Sequence, residues 1–327
     1  MNLIEYREKI FSNISDFEFE ELSIFAFRFQ YENNSVYRNY CDFLKVNPDS
    51  IKNYINIPFL PIPFFKTKQV VSCKNKSYTI FESSSTTGII PSKHFVSDVV
   101  LYEKAFNQAF NLFYGNPKNY VILALLPSYI ERRNASLIYM VNGLLKKAKP
   151  GGGFFLSDYT ALYDEISKNE KSKTKYLLIG VSFALLEFAS NYSIGCKHGI
   201  IMETGGMKGR GEEITRERLH KILTKSFGVS AIHSEYGMTE LLSQAYSKAD
   251  GKYFCPPWMK VLLRETTDPR SVHSIGNGAL NIIDLANINS CCFIETSDLG
   301  AVDCDGSFTV SGRFDFADVR GCNLMSV

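Results

Sequence analysis

The sequence lacks the marks of several protein classes. Its 327 residues carry 36 Lys+Arg against 34 Asp+Glu, a formal net charge of +2, so the basic excess of a dedicated nucleic-acid binder is missing. No apolar run suits a bilayer span, which asks for roughly 20 residues. The longest, from Leu177 to Ala189, is interrupted by Gly180, Ser182 and Glu187. The start MNLIEYREKIF places acidic residues where a secretory signal needs a basic end and an apolar core, which predicts a cytoplasmic chain. Eight cysteines are too sparse for a disulfide scaffold, and no C-x-x-C pair occurs, which argues against a structural zinc site. The one close pair, Cys291 and Cys292, would point to opposite faces of a strand. Internal repeats and low-complexity tracts are absent, as is the GxxxxGK[ST] of a Walker A loop.

What remains is an ordinary globular composition, 45% hydrophobic and 21% charged, at a length that suggests about two domains. Residues 1–48 read as helical, with Ser15 or Asp16 placed to cap FEFEELSIFAFRFQYENN. IPFLPIPFF (57–65) contains three prolines and predicts an extended connector. Short apolar runs then alternate with helical stretches. YTIFE (78–82), YVILALLP (120–127), YLLIGV (176–181) and HGIIME (198–203) read as buried strands. Segments 97–113, 134–147, 158–168 and 213–226 read as helices, and NEKSKTK (169–175) as a solvated loop. This alternation predicts an α/β fold with a doubly wound, mostly parallel sheet. Past Ala249 the runs shorten (GALNIID, CCFIE, GAVD, GSFTVSG), the rhythm of a smaller antiparallel β unit. The expected division is 1–76, helices and connector; 77–250, an α/β subdomain; and 251–327, a β-rich subdomain with a cysteine-bearing tail.

Three motifs carry candidate chemistry. Ser83-Ser84-Ser85-Thr86-Thr87-Gly88 follows a strand, and its hydroxyls and glycine suit phosphate oxygens; a plain Ser/Thr turn is the alternative. Ser234-Glu235-Tyr236-Gly237-Met238-Thr239-Glu240 offers a ring to stack on a base, a hydroxyl for phosphate and a carboxylate for Mg²⁺. Its alternative is a strand-to-helix turn with Glu240 in a solvated first turn. Thr296-Ser297-Asp298-Leu299-Gly300 is followed by Gly312-Arg313-Phe314-Asp315, a carboxylate and an arginine suited to ribose and phosphate. Asp and Arg at surface turns are the plain alternative.

Taken in order, these motifs resemble the adenylate-forming superfamily of acyl and aryl ligases. FRFQYENNSVYRNYC (27–41), IPFLPIPFFK (57–66), LPSYIERRNASLIYM (126–140), ETGGMKGRG (203–211) and DVRGCNL (318–324) resemble more narrowly the LuxE-type acyl-protein synthetases. The resemblance implies the large domain of the adenylate-forming fold and a two-step reaction using ATP and Mg²⁺. A fatty carboxylate becomes an acyl-adenylate, and a thiol then displaces AMP. It further implies an acyl reductase (LuxC-like) as partner, with an oligomer allowed.

Carried over by residue, the resemblance assigns the phosphate loop to Ser83, Ser84, Ser85, Thr86, Thr87 and Gly88, with Ser85 where the superfamily more often has glycine. Gly205 and Gly206 match the turn beside adenine. Tyr236 and Gly237 match the base-stacking turn, Thr239 the α-phosphate contact, and Glu240 the metal ligand. Asp298 and Arg313 match the ribose contacts. His233 faces the carboxylate or acyl end, or is a satisfied core histidine. Cys322, in Arg320-Gly321-Cys322, matches the family's acyl acceptor: a short tail can swing, glycine permits the bend, and Arg320 favours a thiolate whose ordinary pKa is about 8.5. Adenylate-forming ligases continue for about a hundred residues past the GR-x-D hinge, as a small domain with a catalytic lysine. This sequence stops at Val327, so the expectation is chemistry without that lysine, or a partner that completes the site. Delivery to CoA or a carrier protein, and a non-catalytic nucleotide-binding subunit of a reductase complex, are the two rival readings.

Overall fold

The computed structural model describes all residues except 74–76, 84–89, 128–133, 206–213, 267, 269 and 314–327. The first third holds α1 (Leu3–Lys9), α2 (Asp16–Asn33), α3 (Ser35–Phe43), β1 (Leu60–Pro61), α4 (Phe64–Thr67), β2 (Thr79–Glu82), β3 (Lys93–Val96) and α5 (Val99–Tyr114). The middle holds β4 (Val121–Leu125), α6 (Ser136–Leu145), β5 (Gly153–Phe154), α7 (Tyr159–Lys171), β6 (Tyr176–Val181), α8 (Ser182–Asn191), β7 (Gly199–Thr204), α9 (Arg216–Phe227), β8 (His233–Tyr236), β9 (Ala245–Ser247) and β10 (Tyr253–Phe254). The remainder is β11 (Met259–Arg264), β12 (Val272–His273), β13 (Gly276–Asp284), β14 (Phe293–Val302) and β15 (Phe308–Arg313).

These elements form two compact units. The α/β unit takes the described parts of Ile80–Pro91 and Val99–Phe254. Its strands lie in the order β5-β4-β6-β7-β8-β9-β10, parallel from β5 to β8 and antiparallel from β8 onward. Every residue of β4 and β6 is buried, as expected of apolar strands covered on both faces. The helix α8 is one element the sequence reading omits, together with the short strands β5, β8, β9 and β10. Val181 precedes α8 with no side-chain cap, and Ala184, Leu185 and Phe188 are buried, so strand and helix merge into one largely apolar run that only Gly180, Ser182 and Glu187 interrupt. The helix α7 also runs to Lys171, so NEKSKTK is loop only in its second half.

The other unit combines Met1–Thr79, Ser92–Asp98 and the described part of Cys255–Val327. Ser15 caps α2 through a reciprocal box. Its hydroxyl accepts from the Glu18 N–H, and the Glu18 carboxylate accepts from the Ser15 N–H at 2.9 Å. The opposite end of α2 explains why FRFQYENN is informative. The buried Gln30 donates to the carbonyls of Asn287 (3.1 Å) and Ile288 (3.0 Å) and accepts from the Cys292 N–H (2.9 Å). Asn34 donates to Ser290 O at 3.0 Å. Two side-chain amides thus satisfy the turn that feeds β14, where unmet backbone groups would cost stability. Cys291 and Cys292 are both buried in that turn, ahead of β14, and not on alternate faces of a strand.

The strands of this unit lie in the order β12-β11-β13-β14-β15, with β1 parallel to β14. CCFIE and GAVD, read as separate short runs, belong largely to the single strand β14. A register shift between Leu299 and Gly300 sets Asp298 opposite Arg313. A side chain at Gly300 would overlap the Thr309 carbonyl, so the bulge needs glycine.

This sheet also holds a buried ion pair: Arg264 meets Glu295 at 3.2 Å and donates to Thr296 O at 2.8 Å. Burial raises the Glu295 carboxyl above its ordinary range, against the pull of Arg264. Arg264→Met removes the cation and leaves the carboxyl buried alone, for an expected loss of about 3–5 kcal/mol in denaturant unfolding. That loss should shrink at acid pH, where Glu295 takes a proton.

Candidate functional site

In the α/β unit the parallel strands β7 and β8 pair Met202 with His233, Glu203 with Ser234 and Thr204 with Glu235. Their carboxyl ends therefore lie side by side, where open α/β sheets bind ligands. Each end leads into a glycine that the motifs single out. Gly205 takes φ +62°, and its carbonyl accepts from the Ser182 hydroxyl at 2.7 Å. Gly237 follows Tyr236, and a Cβ on it would lie 2.5 Å from Glu235 Oε1, so a side chain here would displace the Glu235 carboxyl.

The YGMTE turn is closed by the Leu241 N–H donating to Met238 O at 3.1 Å, and the chain returns as β9, antiparallel to β8. A strand reversal replaces the strand-to-helix turn of the alternative reading. Glu240 is only 3% exposed, not solvated. Thr239 is half-buried on the same turn, and the Tyr236 ring meets Tyr253 edge-on at 5.8 Å. His233 receives a contact from the Tyr114 hydroxyl at Nδ1, 3.2 Å away. Burial and then the nearby Lys248 push His233 down to about 4, so it is neutral at physiological pH.

A polar cluster beside this turn escaped the sequence reading. Glu203 is buried and faces Ser182 Oγ (3.0 Å), Arg216 Nε (3.4 Å) and His220 Nε2 (3.6 Å). Burial alone would raise its carboxyl, but His220 and Arg216 hold it below the usual range. Ser234 Oγ also meets His220 Nε2, at 3.5 Å. One imidazole nitrogen thus faces both serine and glutamate, which is not the relay geometry of a hydrolase triad. Arg216 also lies over the Tyr253 ring, 5.4 Å from its centroid. Thr204 donates its hydroxyl to Glu235, which is 7% exposed. Burial raises Glu235 to about 7, Thr204 works against that shift, and the Glu203 charge adds to it. One signal was available: Glu203 and Glu235 both sit near the carboxyl ends of strand segments.

In the second unit the structure joins the two predicted ribose residues. Arg313 Nε donates to Asp298 Oδ1 at 3.1 Å, and the Asp298 N–H donates to Thr296 Oγ1 at 3.1 Å. Thr296 also donates to Leu280 O at 2.7 Å, so the threonine of TSDLG holds the sheet together. Ser83 is half-buried just after β2. Ser84, Ser85, Thr86, Thr87, Gly88, Gly206 and Cys322 lie outside the described residues.

Comparison with known proteins agrees with this architecture. A 2-hydroxyisobutyryl-CoA ligase, solved with 2-HIB-AMP and CoA, superposes with a TM-score of 0.68 at 14% identity, covering 97% of this chain and 70% of that one. ATP-bound MatB from Rhodopseudomonas palustris gives 0.55 at 14% identity over 74% of this chain, which spans about half (50%) of MatB. The fold is that of the adenylate-forming enzymes. The family model for acyl-protein synthetase, LuxE, matches residues 13–126. Long-chain-fatty-acid–luciferin-component ligases from Vibrio harveyi (22% identical) and Aliivibrio fischeri (23%) each align with 85% of this chain and 77% of their own length. The chain is thus similar in sequence to the LuxE acyl-protein synthetases and in fold to acid–thiol ligases. No helix among the described residues is long and apolar enough to cross a membrane.

Proposed function

We propose that this chain is an ATP-dependent acyl-protein synthetase that activates a long-chain fatty acid and carries the acyl group on Cys322 for an acyl reductase of the LuxC-like kind. A free carboxylate resists nucleophiles because it is charged and offers no leaving group. In the first step a carboxylate oxygen bonds to the α-phosphorus of ATP and the α–β anhydride breaks, releasing pyrophosphate. In the second the Cys322 thiolate attacks the acyl carbonyl, the acyl–phosphate bond breaks, and AMP leaves.

The carrying observation is the buried Glu240 on the YGMTE turn at the carboxyl ends of β7 and β8, in a chain similar to LuxE ligases. In this reading Tyr236 stacks on the base beside Gly205, and Thr239 and the Ser83–Gly88 hydroxyls hold phosphate oxygens. The Asp298–Arg313 pair takes the ribose, and neutral His233 faces the acyl carboxylate without adding charge. Among the described residues no group of three or more His, Cys, Asp and Glu gathers to hold a metal. One buried carboxylate instead suits Mg²⁺ that arrives on ATP and neutralises its polyphosphate, with Glu240 holding it. The chain's own part is to align carboxylate and phosphorus and to exclude water.

The test is incubation with ATP, Mg²⁺ and radiolabelled fatty acid. Label that stays with the denatured chain and leaves with neutral hydroxylamine is the expected outcome. Label that leaves on denaturation refutes the self-acylation step.

A further inference from the structure

We infer that Glu235 is a positioning residue for the proposed adenylation: its carboxyl ties the end of β7 to the turn that bears Tyr236, Thr239 and Glu240, and loosens that turn when it loses its proton. This inference rests on the reading above. Thr204 and Glu235 are register partners at the last paired position of β7 and β8, and the Thr204 hydroxyl donates to Glu235 Oε2. The other carboxyl oxygen rests against Gly237, the first residue of the turn beyond Tyr236. One side chain therefore touches the strand that leads into Gly205 and the backbone that leads into Thr239 and Glu240. A glutamine or a protonated glutamate can fill both contacts without bringing charge.

Among the described residues, those that face Glu235 give an ionised carboxylate no cation to pair with. The β7 neighbours are Thr204 and the negative Glu203. From α5 come Tyr102 and Tyr114, from β9 Tyr246 and from β10 Tyr253, all held neutral by burial. Within β8 itself His233 is neutral. Two cations of this unit are engaged with other groups: Arg216 with Glu203 and Tyr253, and Lys248 over the Tyr114 ring at 5.9 Å. Among the described residues no ion pair reaches Glu235. A desolvated, unpaired charge next to Glu203 is driven toward water, and its contact with Gly237 goes with it. The burial that raises Glu235 to about 7 places this event within the physiological range.

The experiment is acid-dependent ATP–pyrophosphate exchange from pH 5.5 to 9, with thermal midpoints over pH 4–9, on the full chain and on Glu235→Gln and Thr204→Val. In the wild type kcat for exchange should fall about five- to tenfold with a midpoint near pH 7, while KM for ATP changes little. Glu235→Gln should remove that fall, and Thr204→Val should lower kcat at pH 6 by about fivefold with near-ultraviolet circular dichroism retained. A Glu235→Gln profile that keeps the wild-type midpoint overturns the inference. Absence of exchange in the wild type at every pH overturns the adenylation reading and the positioning role with it. The tie alone is then judged by the midpoints: wild type should lose stability between about pH 4.5 and 7 and Glu235→Gln should not, and equal slopes refute the tie.

Discussion

Glu240→Gln is expected to lower acid-dependent pyrophosphate exchange by at least about a hundredfold, while ATP binding weakens by less than about tenfold. The change keeps the shape of a side chain that is 3% exposed, so its packing on the turn is preserved and its charge is not. In the proposed reaction that charge holds Mg²⁺ on the polyphosphate, and the demand for it is greatest as pyrophosphate separates. A hundredfold effect corresponds to about 2.7 kcal/mol of transition-state stabilisation, within the range found for one preorganised electrostatic group. Equilibrium binding of ATP should change less, because in the proposed site the base, ribose and phosphate contacts fall to other residues. An equal loss in binding and turnover would make Glu240 a ground-state contact only. Circular dichroism of the variant would identify a folding defect.

Cys322→Ser is expected to abolish the hydroxylamine-labile label altogether while adenylation persists as acid-dependent exchange. The two steps break different bonds, and only the second needs the thiol. An oxygen ester on the introduced serine would resist neutral hydroxylamine, so residual stable label would mark slow transfer to that hydroxyl. Wild-type labelling in this variant would assign the acceptor to another thiol. Cys304 is the exposed cysteine among the described residues. Burial raises Cys41, Cys73, Cys196, Cys255, Cys291 and Cys292 above the ordinary thiol range, which suppresses their thiolates.

Linkage fixes the sign of the Glu235 effect on stability. A carboxyl ordinarily near 4.5 that rises to about 7 on folding leaves the native state fully favoured below pH 4.5. Stability then falls as pH rises to 7 and levels off above it. The span is worth roughly 3 kcal/mol, at 1.36 kcal/mol per pH unit.

The sequence made the alternating strands legible because β4, β6 and β7 are apolar runs bounded by helices and turns. It also exposed YGMTE and TSDLG, whose chemistry lies within five consecutive residues. Ser15 was legible as a cap because its partner, Glu18, is three positions away. What stayed hidden depends on partners distant along the chain. Gln30 looks like any polar residue of an amphipathic helix until the turn around Asn287 receives it. Glu203 and Glu235 look like exposed strand ends until His220, Arg216 and Thr204 surround them. Helix α8 vanished into a largely apolar run because Ser182 alone marks its junction with β6 and no capping side chain precedes it. The pairing of Asp298 with Arg313 could be guessed as a motif, but the bulge at Gly300 that sets their register could not.

Whether this chain activates carboxylic acids is decided most directly by ATP–pyrophosphate exchange of the wild type with a graded panel of such acids. Mg²⁺-supported exchange that requires an acid, and is strongest with long-chain fatty acids, is the expected result. ATP binding without exchange, across the whole panel, would contradict the adenylation chemistry proposed for the YGMTE turn.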